Sequence, residues 1–257
     1  MVEHLVKSED DLPAYRYLFE NIRYEPDYDF AMKRAKQVGE MGVVLCYLPR
    51  SPFMRMLVLD IGIDTVAYLA SNFEDEFMET FEVVRKNLDK ASRIAVDSPA
   101  EILMIPENLS AEMVGPKFFE KYLKKFQTEW SGRIKAAGKY SCIHMDGTLK
   151  ALLKEECSIG LTFIEACTPR PAGDLGIEEW PAYIENNQTI LWGGIPGVYF
   201  TDKICEAEFD RHLKEVLSVM RTKPRYVLGV ADQVPPDGVA RRVCRVRELV
   251  DEFGVYR

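Results

Sequence analysis

Six short apolar runs, each set off from the next by a longer amphipathic stretch, constrain this chain more than any other feature. They read "GVVLCYL" (42–48), "EILMI" (101–105), "YSCIH" (140–144), "LTFIEAC" (161–167), "TILWGG" (189–194) and "RYVLGV" (225–230). Short runs rich in β-branched or aromatic residues, with glycine and proline close by, read as buried strands. The stretches between them keep helical spacing. "FEDEFMETFEVVRKNLDKASRIAVD" (73–97) puts Phe77, Phe81, Val84, Leu88 and Ala91 three or four residues apart, the stripe of an amphipathic helix. "GPKFFEKYLKKFQTEWSGRIKAAG" (115–138) opens with proline in its first turn and stops at Gly138, the usual punctuation of a helix. Residues 206–220 and 239–253 behave alike, and His212 is expected on the solvent face of the first. Residues 1–40 supply helix only, in "DDLPAYRYLFENI" and "DYDFAMKRAKQVGE".

Strands alternating with helices imply parallel βα units. A doubly wound sheet would carry a glycine-rich phosphate turn after its first strand, and neither "WGGIPG" nor "AAGKYS" fits that pattern. The expected fold is therefore α/β, a TIM (β/α)8-type barrel. It is incomplete, with six recognisable strands where a closed barrel has eight. The strands should lie in one sheet in chain order. No repeat, linker or low-complexity tract divides the 257 residues, so one domain over residues 1–257 is expected. A six-stranded barrel leaves apolar edges at 42–48 and 225–230, which points to a homodimer.

Charge and composition exclude several functions. Lysine and arginine number 33 against 41 aspartates and glutamates, a net charge of −8, which argues against a non-specific nucleic-acid partner. No apolar run approaches the roughly 18 residues of a membrane helix. The acidic start "MVEHLVKSEDDLP" lacks a signal-peptide core, and a cytoplasmic, membrane-free protein is expected. Six scattered cysteines without a CxxC pair read as reduced thiols.

Candidate chemistry collects at the strand ends, where barrel enzymes build their sites. Residues i and i+2 of a strand share a face. If the strand continues through "CIHMDG", His144 and Asp146 project together, able to bind a divalent metal or to work as an oriented acid/base pair. The bland alternative has a loop carbonyl satisfying His144 and Asp146 capping the helix in "TLKALLKEE". Other ends add Arg50, Glu107 with Asn108, Glu165 and Asp232. Gly193 and Gly194 would form a floor where a ligand meets backbone closely.

The stretches "IHMDGTLKALLKEECSIGLTFIEACTPRPAGDL", "ILWGGIPG" and "YVLGVADQVPPD", with "IPENLSAEMVGPKFFEKYLKKF" upstream, resemble the uroporphyrinogen decarboxylase superfamily, which includes cobalamin-dependent methyltransferases. The resemblance implies a (β/α)8 barrel whose first two strands this chain lacks. It also implies methyl transfer from a corrinoid, on a partner protein, to a thiol or similar small-molecule acceptor. The arginine-rich segment with which the family's decarboxylases hold substrate carboxylates is absent. The thiol methyltransferases of the family bind zinc through His-x-Cys and a later Cys. Here His144 matches, Asp146 stands at the first thiolate position, and the later one falls near Asp232. Carboxylates suit a harder ion than thiolates do. The expected roles are thus His144, Asp146 and Asp232 for a divalent metal such as zinc, Glu107, Glu165 and Arg50 for catalysis, and Asn108, Gly193 and Gly194 for substrate. Two alternatives stay open: decarboxylation of a tetrapyrrole, and a non-catalytic assembly or binding role.

Overall fold

The structure, a computed structural model, describes residues 3–184, 188–223 and 225–255. Its strands are β1 (Leu45–Tyr47), β2 (Ile102–Ile105), β3 (Tyr140–His144), β4 (Phe163–Cys167), β5 (Ile190–Pro196) and β6 (Tyr226–Ala231). They form a six-stranded sheet in the order β1-β2-β3-β4-β5-β6, with parallel pairing and helices between strands. All six predicted strands are present, and the architecture is that of an incomplete TIM-type barrel. β1 is shorter than its apolar run. Among the described residues it pairs only with β2, over Leu45↔Ile102 to Tyr47↔Met104, and Met41 and Val43 lie exposed ahead of it.

The chain packs as two compact units, Met1–Glu107 with Lys125–Ser141, and Asn108–Lys124 with Cys142–Arg257. In the first, the helix Glu74–Val96 buries Phe77, Phe81, Val84 and Leu88, as its periodicity predicts, and carries Glu74, Asp75 and Glu76 in its first turn, where the helix dipole favours acid. It packs against the helix Leu12–Asn21, which buries Leu12, Tyr15 and Phe19. The helix Asp29–Val38 buries nothing, and its Phe30 and Met32 are exposed. The stretch 51–72, for which the sequence pattern gives no reading, forms a helical turn (Pro52–Arg55), a π-helical turn (Met56–Asp60) and the helix Ile63–Asn72. Phe53, Met54, Met56, Leu57 and Ile61 are all buried there. A segment that is apolar all round has no amphipathic contrast to detect.

In the second unit the helices Glu206–Met220 and Ala240–Phe253 cover β5 and β6. Their core joins Phe209, Leu213, Leu217 and Leu249 to Ile195, Tyr199 and Phe200. His212 belongs to this core and not to the solvent face. It is 6% exposed, its Nε2–H donates to the Gly194 carbonyl at 2.8 Å, and its ring lies 4.4 Å from that of Tyr199. The spacing Phe209, His212, Leu213, Val216 is the i, i+3, i+4, i+7 stripe, and His212 is part of it. Among the described residues no helix is long and apolar enough to cross a membrane.

Candidate active site

Within the second unit, three strand ends converge. The register between β3 and β4 sets His144 opposite Glu165, and His144 Nδ1–H donates to Glu165 Oε2 at 2.6 Å. A carboxylate can only accept, so this bond places the ring hydrogen on Nδ1 and leaves Nε2 turned outward. Glu165 owes its direction to an irregularity in β4. Ile164 pairs with Leu191 and Cys167 with Gly193, so Glu165 and Ala166 together face the single residue Trp192. That is a β-bulge, a device that re-aims side chains beside active sites. Ala166 takes the left-handed conformation with φ of 67°, a strain of about 1–3 kcal/mol for a residue with a Cβ. The Glu165 carbonyl accepts from Met145 N at 2.9 Å, so β3 stays bonded to β4 one residue past His144.

Asp232 follows β6 directly. Its φ is also left-handed, 69°, and its Oδ1 lies 3.8 Å from His144 Nε2. Three interstrand steps of about 4.8 Å separate β3 from β6; curvature toward this face and the reach of both side chains close that gap. Asp146 is half-buried just beyond β3. It does not cap the following helical segment: Asp174 Oδ1 accepts from Leu149 N at 2.8 Å and Lys150 N at 3.2 Å.

Electrostatics couple the group. Burial alone would lower the His144 pKa, but the Glu165 hydrogen bond and charge, with Asp146 and Asp232 behind them, raise it above 6.5. Asp146 is raised, first by burial and then by repulsion from Asp232 and Glu165, against the pull of His144. Glu165 and Asp232 thus flank one imidazole, with Asp146 acting on it through charge.

The remaining candidates have partners of their own. Asn108 is exposed, with φ of 50°, and its neighbour Leu109 N donates to the His144 carbonyl at 3.2 Å. Gly193 and Gly194 have a packing reason for lacking side chains. A Cβ on Gly193 would collide with the Cys167 backbone, and one on Gly194 with the Tyr226 hydroxyl. Their carbonyls are held by Tyr226 Oη at 2.8 Å and by His212. The space beside these glycines is filled by protein, not left open as a ligand floor. Glu107 and Arg50 come together in the first unit. Glu107 is fully buried and accepts from Ser51 N at 3.1 Å and Gln127 Nε2 at 3.5 Å. Burial, opposed by Ser51, Gln127 and Arg50, pushes its pKa up to about 7. Arg50 donates to the Pro106 carbonyl.

The donors around His144 suit a divalent cation in kind, since a metal-binding histidine commonly carries a carboxylate on its other nitrogen. They do not stand as a formed site. Among the described residues no three His, Cys, Asp or Glu side chains are placed to hold one ion. What the arrangement can do as it stands is move a proton: an imidazole fixed by Glu165, its second nitrogen open, and a carboxylate in front of it.

Over 94% of its length the chain superposes on a methyltransferase from Methanosarcina mazei, with a TM-score of 0.66 and 13% sequence identity. It spans 63% of that protein's length. Identity this low shows the fold alone. No described protein family matches the chain, and no curated protein does.

The sequence reading missed two features of this site. One is the part played by Glu165: it, and not Asp146, orients the imidazole, because the pairing lies across strands and depends on register. The other is Trp192, opposite the bulge, which reads in sequence only as a strand aromatic.

Proposed function

We propose that the chain catalyses methyl transfer to a small acceptor bearing a thiol or hydroxyl, with His144 and Glu165 taking the acceptor's proton. The observation that carries this reading is the 2.6 Å His144–Glu165 hydrogen bond, set at strand ends of a fold shared with a methyltransferase. As the acceptor's sulfur or oxygen bonds to the methyl carbon, its bond to hydrogen breaks and the proton passes to Nε2 of His144. The donor keeps the electron pair of the bond it loses. Glu165 holds the tautomer that exposes the Nε2 lone pair, and Asp232 steadies the imidazolium that results. A corrinoid carried by a partner protein is the donor in this reading; when bound it supplies an activated methyl group.

The test is methyl transfer from free methylcobalamin to small thiols. His144→Asn should cost on the order of 10²–10⁴-fold in rate, the range of general acid–base catalysis. The pH dependence should show a rising limb above 6.5, following the raised His144 pKa, and Glu165→Gln should move that limb down. An unchanged rate in His144→Asn ends the reading.

A second reading keeps a divalent metal such as zinc, favoured by the carboxylate on His144 Nδ1 and the carboxylate facing Nε2. His144, Asp146 and Asp232 would hold it only by closing together from their present positions, and a metal bound there would lower the pKa of an acceptor thiol. Equilibrium dialysis against zinc decides it: stoichiometric binding lost in His144→Asn supports the metal, and no binding removes it.

A further inference from the structure

The face that carries His144 and Glu165 also carries an aromatic pair. Phe163 pairs with Ile190, so Phe163 and Glu165 on β4 share a face with Ile190 and Trp192 on β5. Phe163 and Trp192 meet edge to face with ring centroids 6.3 Å apart, and both are half-buried. The indole is seated by a gap left for it. A Cβ at Gly229 of β6 would lie 2.5 Å from Trp192 Nε1, so a side chain there would push the ring away. This wall stands opposite the bulge that aims Glu165.

The charge around His144 is one-sided. Glu165 and Asp232 pair with His144, and Asp146 feels His144, Asp232 and Glu165. Among the described residues no lysine or arginine is paired with any of the three. Even with His144 protonated, Glu165 and Asp232 outnumber it, and Asp146 stands half-buried just beyond β3. An anionic acceptor would be repelled here, whereas a cation is drawn by the carboxylates and by the face of an indole.

We propose that the acceptor carries its own positive charge: a small aminothiol or amino alcohol whose protonated amine sits against the indole of Trp192 and the carboxylates around His144. This deepens the methyl-transfer reading and rests on it for the role of the thiol or hydroxyl. The amine end sets specificity, while the other end meets Nε2 of His144.

The molecule carries its own reporter. Trp130 and Trp180 are 2% and 0% exposed, so Trp192 is the indole that a solute reaches. The full chain is titrated with 2-aminoethanethiol, 2-mercaptoethanol and 3-mercaptopropionate at neutral pH, followed by tryptophan fluorescence and by calorimetry. The amine should bind at least about tenfold more tightly than the neutral or anionic thiol, a difference worth about 1.4 kcal/mol. Trp192→Phe should remove the fluorescence change and weaken the calorimetric binding. Asp146→Asn and Asp232→Asn should each weaken the amine selectively, with thermal unfolding confirming that the variants fold. Equal binding of the three thiols, or preference for the anion, overturns the proposal. His144→Asn separates it from the reading beneath it, because that change removes a positive charge and should leave amine binding intact or tighter. If amine preference holds while His144→Asn keeps full turnover, the acid/base reading fails and the cation site stands. If His144→Asn abolishes turnover while the three thiols bind alike, the reverse is true.

Discussion

Glu107 and His144 both favour their protonated forms, for opposite reasons. Glu107 is raised because burial penalises its charge; His144 is raised because neighbouring carboxylates reward its charge against burial. A group whose folded pKa is raised contributes stability below its unfolded value and loses it as pH climbs through the folded one. For Glu107, a rise from 4.5 to about 7 corresponds to about 3 kcal/mol, lost between those two pH values. Glu107→Gln should therefore cost little at pH below 4.5 and stabilise the chain above pH 7, read from urea unfolding at several pH values. A uniform loss at all pH values would mean that the carboxylate is needed as an anion. His212 runs the other way. Burial, only partly offset by its bond to the Gly194 carbonyl, lowers its pKa below 6.5, so its contribution is present at neutral pH and falls away as pH drops through 6.5 and below. His212→Gln, which keeps an N–H for that carbonyl, should flatten this acid limb in the same unfolding series.

At the scale of elements, the bulge in β4 is what turns a strand into part of a site. Ala166 sits left-handed and buried, so Ala166→Gly should be tolerated or stabilising by up to about 1 kcal/mol, because glycine adopts that conformation without strain. Ala166→Val adds β-branching to a left-handed residue and should cost more than about 2 kcal/mol. It should also pull Glu165 away from His144, and thermal unfolding together with the histidine titration reads both effects. The strands themselves were legible, because apolar runs broken by glycine and proline mark them, and β3 matches its predicted bounds of 140–144. The bulge was not, since a two-against-one pairing depends on the partner strand. The 115–138 helix was legible from Pro116 onward, because Gly115 (φ 67°) breaks the helix ahead of it. The π-helical turn Phe119–Leu123 inside it left no mark in the periodicity.

For the molecule as a whole, each end of the strand order, β1 and β6, has one paired neighbour among the described residues. Beside β6 an apolar groove of about 200 Å³ is lined by Leu228, Val230, Val243 and Val246. We propose that the chain self-associates through such edges, so sedimentation should show a mass that rises with concentration. Val227→Lys on β6 should reduce it, as charges do on natural edge strands; a monomer at every concentration contradicts this. Of the polar residues that the sequence places at strand ends, His144, Glu165 and Asp232 are three that the structure brings together. Their partnership was not, because it follows from the β3–β4 register and from the approach of the β6 end to β3. Arg50 and Glu107, from the same list, pair with each other's surroundings in the first unit. The central claim is that Glu165 sets the charge state of His144. It is tested most directly by a nuclear magnetic resonance titration of the chain's three histidines, assigned with His144→Asn. The expected result is a His144 pKa above 6.5 that drops in Glu165→Gln. A His144 that titrates at or below 6.5 and ignores the Glu165 substitution would contradict the account.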